Sequence, residues 1–174
     1  VYTWMVGGYD SAIERGTKEV EEIANSVGNG CLVVDIGAGF GMHSIPLAQR
    51  GFDVIAIDNC HTLLNELRGK CEGLSVEIVE DDLFSFPLHL PKKADLIICM
   101  TDTISHLADK ESITRLARSI FDHLVSGGCF VTTFRDYSME LEAERRFIPV
   151  RSSQERVFSC FLEYGESHIT VNDI

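Results

Sequence analysis

Short, continuous apolar runs recur along the chain and are separated by stretches in which apolar residues have helical spacing. Each run has the length and the β-branched content that are typical of strands buried on both faces in a parallel sheet. The pattern predicts strands at 32–35, 51–58, 76–79, 94–100 and 129–134. The helical spacing predicts helices over 11–27, 42–50, 61–70 and 109–125.

Alternating apolar and polar residues near the end of the chain predict two antiparallel strands, 157–164 and 168–171, around Gly165 and Glu166. Five β-α units followed by a hairpin predict an α/β fold, a doubly wound, mostly parallel sheet with helices on both faces. Because 174 residues suit one domain with a substantial core, we expect a single domain over 1–174.

Turn residues predict where two of the helices end. The segment 28–30, GNG, is expected to end the first helix, and the segment 126–128, SGG, is expected to stop the helix that Asp109 caps and to turn the chain. The charged segment 138–146 is expected to be a short helix or a loop.

Three glycines at alternate positions follow the first strand, in the segment 35–41, DIGAGFG. A strand, a glycine loop and a helix in succession let the backbone lie against a ligand without interference from Cβ atoms. The dinucleotide fingerprint G-x-G-x-x-G would need glycine where Met42 stands, and a plain tight turn would also account for the glycines. The second strand ends in Asp58, one helix-length later, where an acidic residue can bind ribose hydroxyls.

These residues resemble the first motif and the ribose-binding acid of the class I S-adenosylmethionine-dependent methyltransferases, and the resemblance continues through most of the chain. It implies S-adenosyl-L-methionine as the cofactor. The residues that it assigns to cofactor binding are Trp4, Asp35, Gly37, Ala38, Gly39, Asp58, Asn59, Asp82, Leu83, Met100 and Thr101.

Two parts of this assignment are open. The family often has glycine where Asp81 stands, so either Asp81 or Asp82 could accept from the adenine amino group, and a solvated acidic turn is the alternative. The aromatic start of the chain, residues 1–10, resembles a lid over the cofactor, and core packing would explain it equally well. Relative to the family the end is short, so we expect either a C-terminal truncation or a closing hairpin in shortened form.

The segment 101–107, TDTISHL, is similar to the fourth motif of glycine N-methyltransferase and its relatives, and an R-x-Y pattern follows the fifth strand. The resemblance implies catalytic roles for Asp102, His106, Arg135 and Tyr137. His106 would line the pocket beside the methyl group, or it caps or packs beside the strand end. Arg135 either forms a surface salt bridge with Asp136 or a nearby glutamate, or binds a carboxylate of the acceptor.

Charge and composition narrow the choice of partners. The chain has 15 basic and 27 acidic residues, a formal net charge of −12, and no Lys/Arg-rich stretch, which disfavours nucleic acid and anionic membranes as partners. Its apolar runs are strand-length and its start lacks the features of a signal peptide, so we expect a cytoplasmic protein without a transmembrane helix.

Six cysteines occur without a C-x-x-C pair, which argues against a zinc site or a redox dithiol, and no metal site is predicted. We expect buried, reduced thiols, since four of them lie in or beside predicted strands: Cys31, Cys99, Cys129 and Cys160.

The resemblance implies transfer of a methyl group to a small-molecule acceptor, an N- or O-nucleophile that includes carboxylate-bearing compounds. Two alternatives are a non-catalytic cofactor-binding protein of the same fold and an NAD-dependent oxidoreductase. Met42 and the segment 101–107 argue against the oxidoreductase. The sequence leaves the oligomeric state open.

Overall fold

A five-stranded parallel sheet dominates the computed structural model, which describes residues 2–28, 30–166 and 168–174. Val1, in the predicted lid, and Asn29, in the predicted stop of the first helix, lie outside the described residues. The backbone forms two compact units, Ala12–Arg135 and Val1–Ser11 with Asp136–Ile174. A single domain over the whole chain stays a prediction.

The larger unit has the strand order β3-β2-β1-β4-β5, and every neighbouring pair is parallel. Its strands are β1 Leu32–Ile36, β2 Asp53–Asp58, β3 Val76–Glu80, β4 Ala94–Cys99 and β5 Leu124–Thr132. The α-helices of the chain are α1 Tyr2–Met5, α2 Tyr9–Ser26, α3 Ser44–Gln49, α4 His61–Arg68 and α5 Lys110–His123. Two 3₁₀ helices complete this unit, Leu83–His89 and Thr103–His106.

The central strands are mostly apolar because both of their faces are covered, and β1 buries one charged residue, Asp35. All five residues of β1 are buried, and successive side chains of a strand point to opposite faces of the sheet. The buried side chains accordingly form two clusters, which include Val34, Ile36, Ile55, Ile57 and Ile97 in one and Val33, Val54, Leu96 and Ile98 in the other. The predicted doubly wound sheet is confirmed.

The fifth strand differs from the prediction. The helix α5 ends at His123, the strand begins at once at Leu124, and the segment 126–128 lies inside β5 rather than stopping the helix. The pairing register between β4 and β5 shifts over this segment, where Gly127 has φ +81°. A glycine with positive φ accommodates a strand irregularity as readily as a turn, so the local sequence did not distinguish them.

The remaining boundaries agree with the sequence within a few residues. Asp109 caps α5 as predicted, since its Oδ1 accepts from the Ser112 N–H at 2.7 Å. The helix after the glycine loop begins only at Ser44, because turns occupy the residues before it.

The smaller unit contains an antiparallel sheet of order β6-β7-β8, with β6 Phe147–Ser152, β7 Val157–Tyr164 and β8 Ile169–Asp173. The predicted hairpin is confirmed as β7 and β8. The sequence missed β6 because Pro149 and Arg151 interrupt its pattern, although proline is tolerated on an edge strand. A 3₁₀ helix, Ala143–Arg146, precedes β6.

None of the helices that the structure describes is long and apolar enough to cross a membrane. All six cysteines are free. Cys99 and Cys160 are buried, whereas Cys129 is exposed, so the expectation of buried thiols is wrong for Cys129.

Candidate functional site

The glycine loop after β1 is pinned to the neighbouring strand. Gly37, Gly39 and Gly41 have φ of +79°, +55° and +89°, the left-handed region that favours glycine. The N–H groups of Gly37 and Ala38 both donate to the carbonyl of Ile57 in β2, at 2.8 and 3.0 Å. The loop therefore turns sharply at the carboxyl end of β1 and stays in contact with β2.

The three glycines serve different purposes. A Cβ at Gly37 would collide with Thr103, and one at Gly41 would collide with Leu67, so both positions are needed for packing. At Gly39 the nearest neighbour of such a Cβ would be Leu63 Cδ1 at 3.7 Å, an ordinary contact. The space beside Gly39 is therefore available to a ligand that lies against the backbone.

Asp58 joins this loop to the start of α4. Its Oδ2 accepts from the Gly39 N–H at 2.8 Å and its Oδ1 from the Cys60 N–H at 2.7 Å. A carboxylate oxygen can accept more than one hydrogen bond, so Asp58 keeps acceptor capacity for ligand hydroxyls. Asn59, between the two contacts, is exposed.

The two acids after β3 have different partners. Asp81 accepts from the Asp82 N–H through Oδ1 at 2.7 Å, and its Oδ2 lies 2.9 Å from His89 Nε2. The bonds from His89 and the Asp82 backbone hold the pKa of Asp81 below its usual value. Asp82 is exposed and caps the 3₁₀ helix through Oδ1, which accepts from the Phe84 N–H at 2.8 Å.

The carboxyl end of β4 has an unusual backbone. Thr101 and Asp102 are consecutive non-glycine residues with positive φ, 53° and 74°. Thr133, just after β5, holds them, because its hydroxyl accepts from the Thr101 N–H at 2.9 Å and its carbonyl from the Asp102 N–H at 3.1 Å. Such conformations cost energy and cluster at functional sites.

Asp102 links the ends of β4 and β5. Its carboxylate accepts from the Ser105 hydroxyl at 2.6 Å and the Arg135 N–H at 3.1 Å, and lies 3.4 Å from Arg135 Nε. The Asp102 side chain is 17% exposed and that of Arg135 57%. Arg135 is thus bonded to Asp102, a partner that neither interpretation of the sequence included.

The topology brings these segments to one edge. The strand order reverses between β1 and β4, and in open α/β sheets ligands bind outside the carboxyl ends of the strands at that switch point. The glycine loop and the ends of β2, β3, β4 and β5 all lie at this edge because the strands are parallel. The contact of Gly37 with Thr103 crosses the switch point itself.

Residues 33–128, more than half of the chain, match the family model described as a methyltransferase domain. The chain belongs to this methyltransferase domain family. It is 25% identical over 112 residues to the glycine/sarcosine N-methyltransferase of Aphanothece halophytica, with 63% of this chain and 42% of the relative covered. It is 32% identical over 161 residues to the cypemycin N-terminal methyltransferase of Streptomyces sp., with 82% and 64% covered.

A solved S-adenosylmethionine-dependent methyltransferase from Clostridium acetobutylicum has the same fold as this methyltransferase domain, with a TM-score of 0.68 and 18% identity. The match covers 97% of this chain and 74% of that one. The chain spans 42% and 64% of the length of the two curated relatives above. The predicted family and fold class are confirmed.

The first acid of the motif is buried in this methyltransferase domain. Asp35 is 1% exposed, and the Ser44 hydroxyl donates to its Oδ2 at 2.6 Å. Burial raises the pKa of Asp35, although nearby His43 and the bond from Ser44 act in the opposite sense. Asp35 therefore faces the core and supports the glycine loop from within, rather than presenting its carboxylate to solvent.

Several residues of the site were missed by the sequence reasoning. Ser44 and Thr103 support the glycine loop from two sides, and Thr133 holds the end of β4. Thr103 lies in the predicted segment 101–107, whereas the local signal of Ser44 and Thr133 is a short hydroxyl residue just after a glycine loop or a strand. His89 was also missed, since it is eight residues from its partner Asp81.

The other predicted site residues of the larger unit have different exposures. Ala38 and Met100 are buried, Leu83 is half-buried, and Thr101 and His106 are exposed. His106 is the last residue of the 3₁₀ helix that follows Asp102.

Trp4 and Tyr137 belong to the smaller unit. The Arg151 guanidinium lies 5.4 Å from the centre of the Trp4 indole ring, and its Nη1 donates to the Trp4 carbonyl at 2.7 Å. The Tyr137 hydroxyl is buried and has no hydrogen-bond partner among the residues that the structure describes. Roles of Trp4 and Tyr137 in cofactor or acceptor binding stay predictions.

Proposed function

We propose that this chain acts as an S-adenosylmethionine-dependent methyltransferase on a small-molecule nucleophile. The proposal rests on the glycine loop, which leaves space for a ligand at Gly39 and is tied by Asp58 to the end of β2. Membership of the methyltransferase family and the cofactor named for the Clostridium acetobutylicum protein support the choice of ligand.

The donors and acceptors at this edge suit a nucleoside. Asp58 retains acceptor capacity for ribose hydroxyls, and the open space at Gly39 lets the backbone approach the ligand. Asp82 suits the adenine amino group better than Asp81, because Asp82 is exposed whereas Asp81 is half-buried and is held by His89. Leu83, as the first residue of a helix, has an N–H without a partner inside that helix, which suits an adenine ring nitrogen.

When bound, the cofactor would supply a methyl group on a positively charged sulfur, and carboxylates near it are electrostatically favourable. The protein's contribution is to fix both reactants in line and to exclude water. Holding two reactants in register supplies about 7–11 kcal/mol of barrier reduction in favourable cases. Asp58, Asp82 and the glycine loop would perform this orientation on the cofactor side.

On the acceptor side, Asp102 acts as an organising residue rather than as a general base. Its carboxylate accepts from Ser105 and from Arg135, which holds together the ends of β4 and β5, and we assign the proton that leaves the acceptor to solvent. The half-exposed Arg135 guanidinium suits an acceptor that carries a carboxylate, such as an amino acid. A relative named for glycine and sarcosine supports this acceptor class. His106 would line the same side.

The experiment has a binding step and a turnover step. Calorimetric titration should show binding of S-adenosylmethionine and no binding of NAD, and the reverse result would overturn the proposal. Methyl transfer to glycine and to glycinamide should then be followed by mass spectrometry, with faster transfer to glycine. Binding without transfer to any amine, amino acid or phenol tested would reduce the function to cofactor binding.

A further inference from the structure

A hydrogen bond closes the segment 81–89, which contains the 3₁₀ helix Leu83–His89, into a loop. His89, its last residue, bonds to Asp81, which stands two residues before its first, with 2.9 Å between Nε2 and Oδ2. Since a carboxylate accepts hydrogen bonds, His89 is the donor in this pair. His89 and Asp81 are both partly shielded from solvent, with side chains 28% and 37% exposed.

The second oxygen of Asp81 controls the next peptide. Asp81 Oδ1 accepts from the Asp82 N–H at 2.7 Å, so the orientation of the Asp82 backbone depends on where the Asp81 carboxylate is held. The Asp81 N–H donates to the Asp58 carbonyl at 3.2 Å, which fixes Asp81 to β2. The orientation of the Asp82 backbone in turn sets the positions of the Asp82 carboxylate and of the Leu83 N–H.

The first half of the helix is anchored in the core. Phe86 is fully buried, and its ring packs edge-on against that of His123 with 5.6 Å between the centres. The Arg115 guanidinium lies over the Phe84 ring at 4.0 Å. Because this segment is anchored, the position of His89 is fixed, and its hydrogen bond holds the Asp81 carboxylate in place.

We propose that His89 is a positioning residue that, through Asp81, sets the selectivity of the Asp82–Leu83 pair for a purine with an exocyclic amine. This inference rests on the proposed function. The pair offers a carboxylate acceptor beside an N–H donor, which matches the amine and the adjacent ring nitrogen of adenine. A hypoxanthine base presents an oxo group and a ring N–H instead, so both of its contacts with the pair would be mismatched.

The test compares S-adenosylhomocysteine with S-inosylhomocysteine by calorimetry, in the wild type and in His89→Phe. The wild type should prefer the adenosyl ligand, and the substitution, which keeps a ring but removes the N–H, should reduce that preference by about tenfold, the effect of one lost hydrogen bond. His89→Gln retains an amide donor for Asp81 and should restore most of the preference. Circular dichroism checks the fold, and His89→Leu replaces the phenylalanine variant if that variant does not fold.

His61→Leu is the matched control. It removes another histidine–carboxylate pair, His61 Nδ1 to Glu80 Oε2 at 2.7 Å, on the residue next to Asp81, and should leave the preference unchanged. An unchanged preference in folded His89→Phe, or an equal loss of affinity for both ligands, would overturn the inference while leaving the proposed function intact. A wild type that binds neither ligand would overturn both.

Discussion

Replacing Gly39 by alanine should separate cofactor binding from folding. The added Cβ would meet only Leu63 Cδ1 at 3.7 Å, so packing would be unaffected. The φ of +55° is unfavourable for alanine and should cost about 1–2 kcal/mol of stability, which is a fall of roughly 2–8 °C in Tm for a chain of this size. The same methyl group occupies the space assigned to the ligand, and a misfit worth about 1–3 kcal/mol corresponds to a roughly 5- to 150-fold higher Kd.

Gly41→Ala is the control variant, because it changes the same loop at a position that packs inside the protein. Its Cβ would collide with Leu67 inside the protein, so this variant should be less stable than Gly39→Ala, by about 1–3 kcal/mol of overpacking. The fraction of Gly41→Ala that stays folded should lose less affinity for the cofactor than Gly39→Ala does. Urea titration gives the stability, and calorimetry gives the Kd for S-adenosylmethionine. If Gly39→Ala folds and its Kd stays within about threefold of the wild type, the ligand does not lie against Gly39.

Three further predictions concern charged residues. Asp58→Asn places the side-chain NH₂ group opposite the N–H of Gly39 or Cys60, and it should weaken binding of S-adenosylmethionine by about 1.5–3 kcal/mol. An unchanged Kd in calorimetry would show that Asp58 does not contact the cofactor. Arg135→Lys should lose most of the preference for glycine over glycinamide in the transfer assay, because lysine lacks the planar fork, and a preference that survives would place the acceptor elsewhere. Burial raises the native pKa of Asp35 above its ordinary value of 3.8, so the native state binds this proton more tightly than the unfolded state, and the contribution of Asp35 to stability falls as the pH rises above that value. The unfolding free energy of the wild type minus that of Asp35→Asn should therefore decrease with rising pH in urea titrations, whereas a constant difference would contradict the raised pKa.

The sheet could be predicted from the sequence because its central strands are buried on both faces. That environment favours apolar residues at most positions, and a run such as 94–100, which is apolar except for Asp95, records it directly. Glycine at 127 and 128 carried no such information, since its conformational freedom serves a turn and a strand irregularity equally. The strand β6 was missed because Pro149 lies on an edge, where the usual exclusion of proline does not apply.

The candidate site was predictable only in part. Motif positions located the glycine loop and Asp58, because both stand at strand ends that are visible in the sequence. The pairing of Asp102 with Arg135 joins residues 33 apart and depends on how β4 and β5 align, which local patterns do not encode. For Asp35 the sequence placed an acid at a strand end but did not say that its side chain faces the core.

The left-handed pair Thr101 and Asp102 has a consequence for how this protein could be made more heat-resistant. Non-glycine residues in that region each cost about 1–3 kcal/mol, a cost that the native state carries permanently. Glycine at 101 would remove part of that cost, but it would also free the backbone that presents the Asp102 carboxylate to Arg135, and glycine at 102 would remove that carboxylate. At this turn, a lower strain energy and a rigid link between Asp102 and Arg135 are alternatives, and the chain has the rigid link.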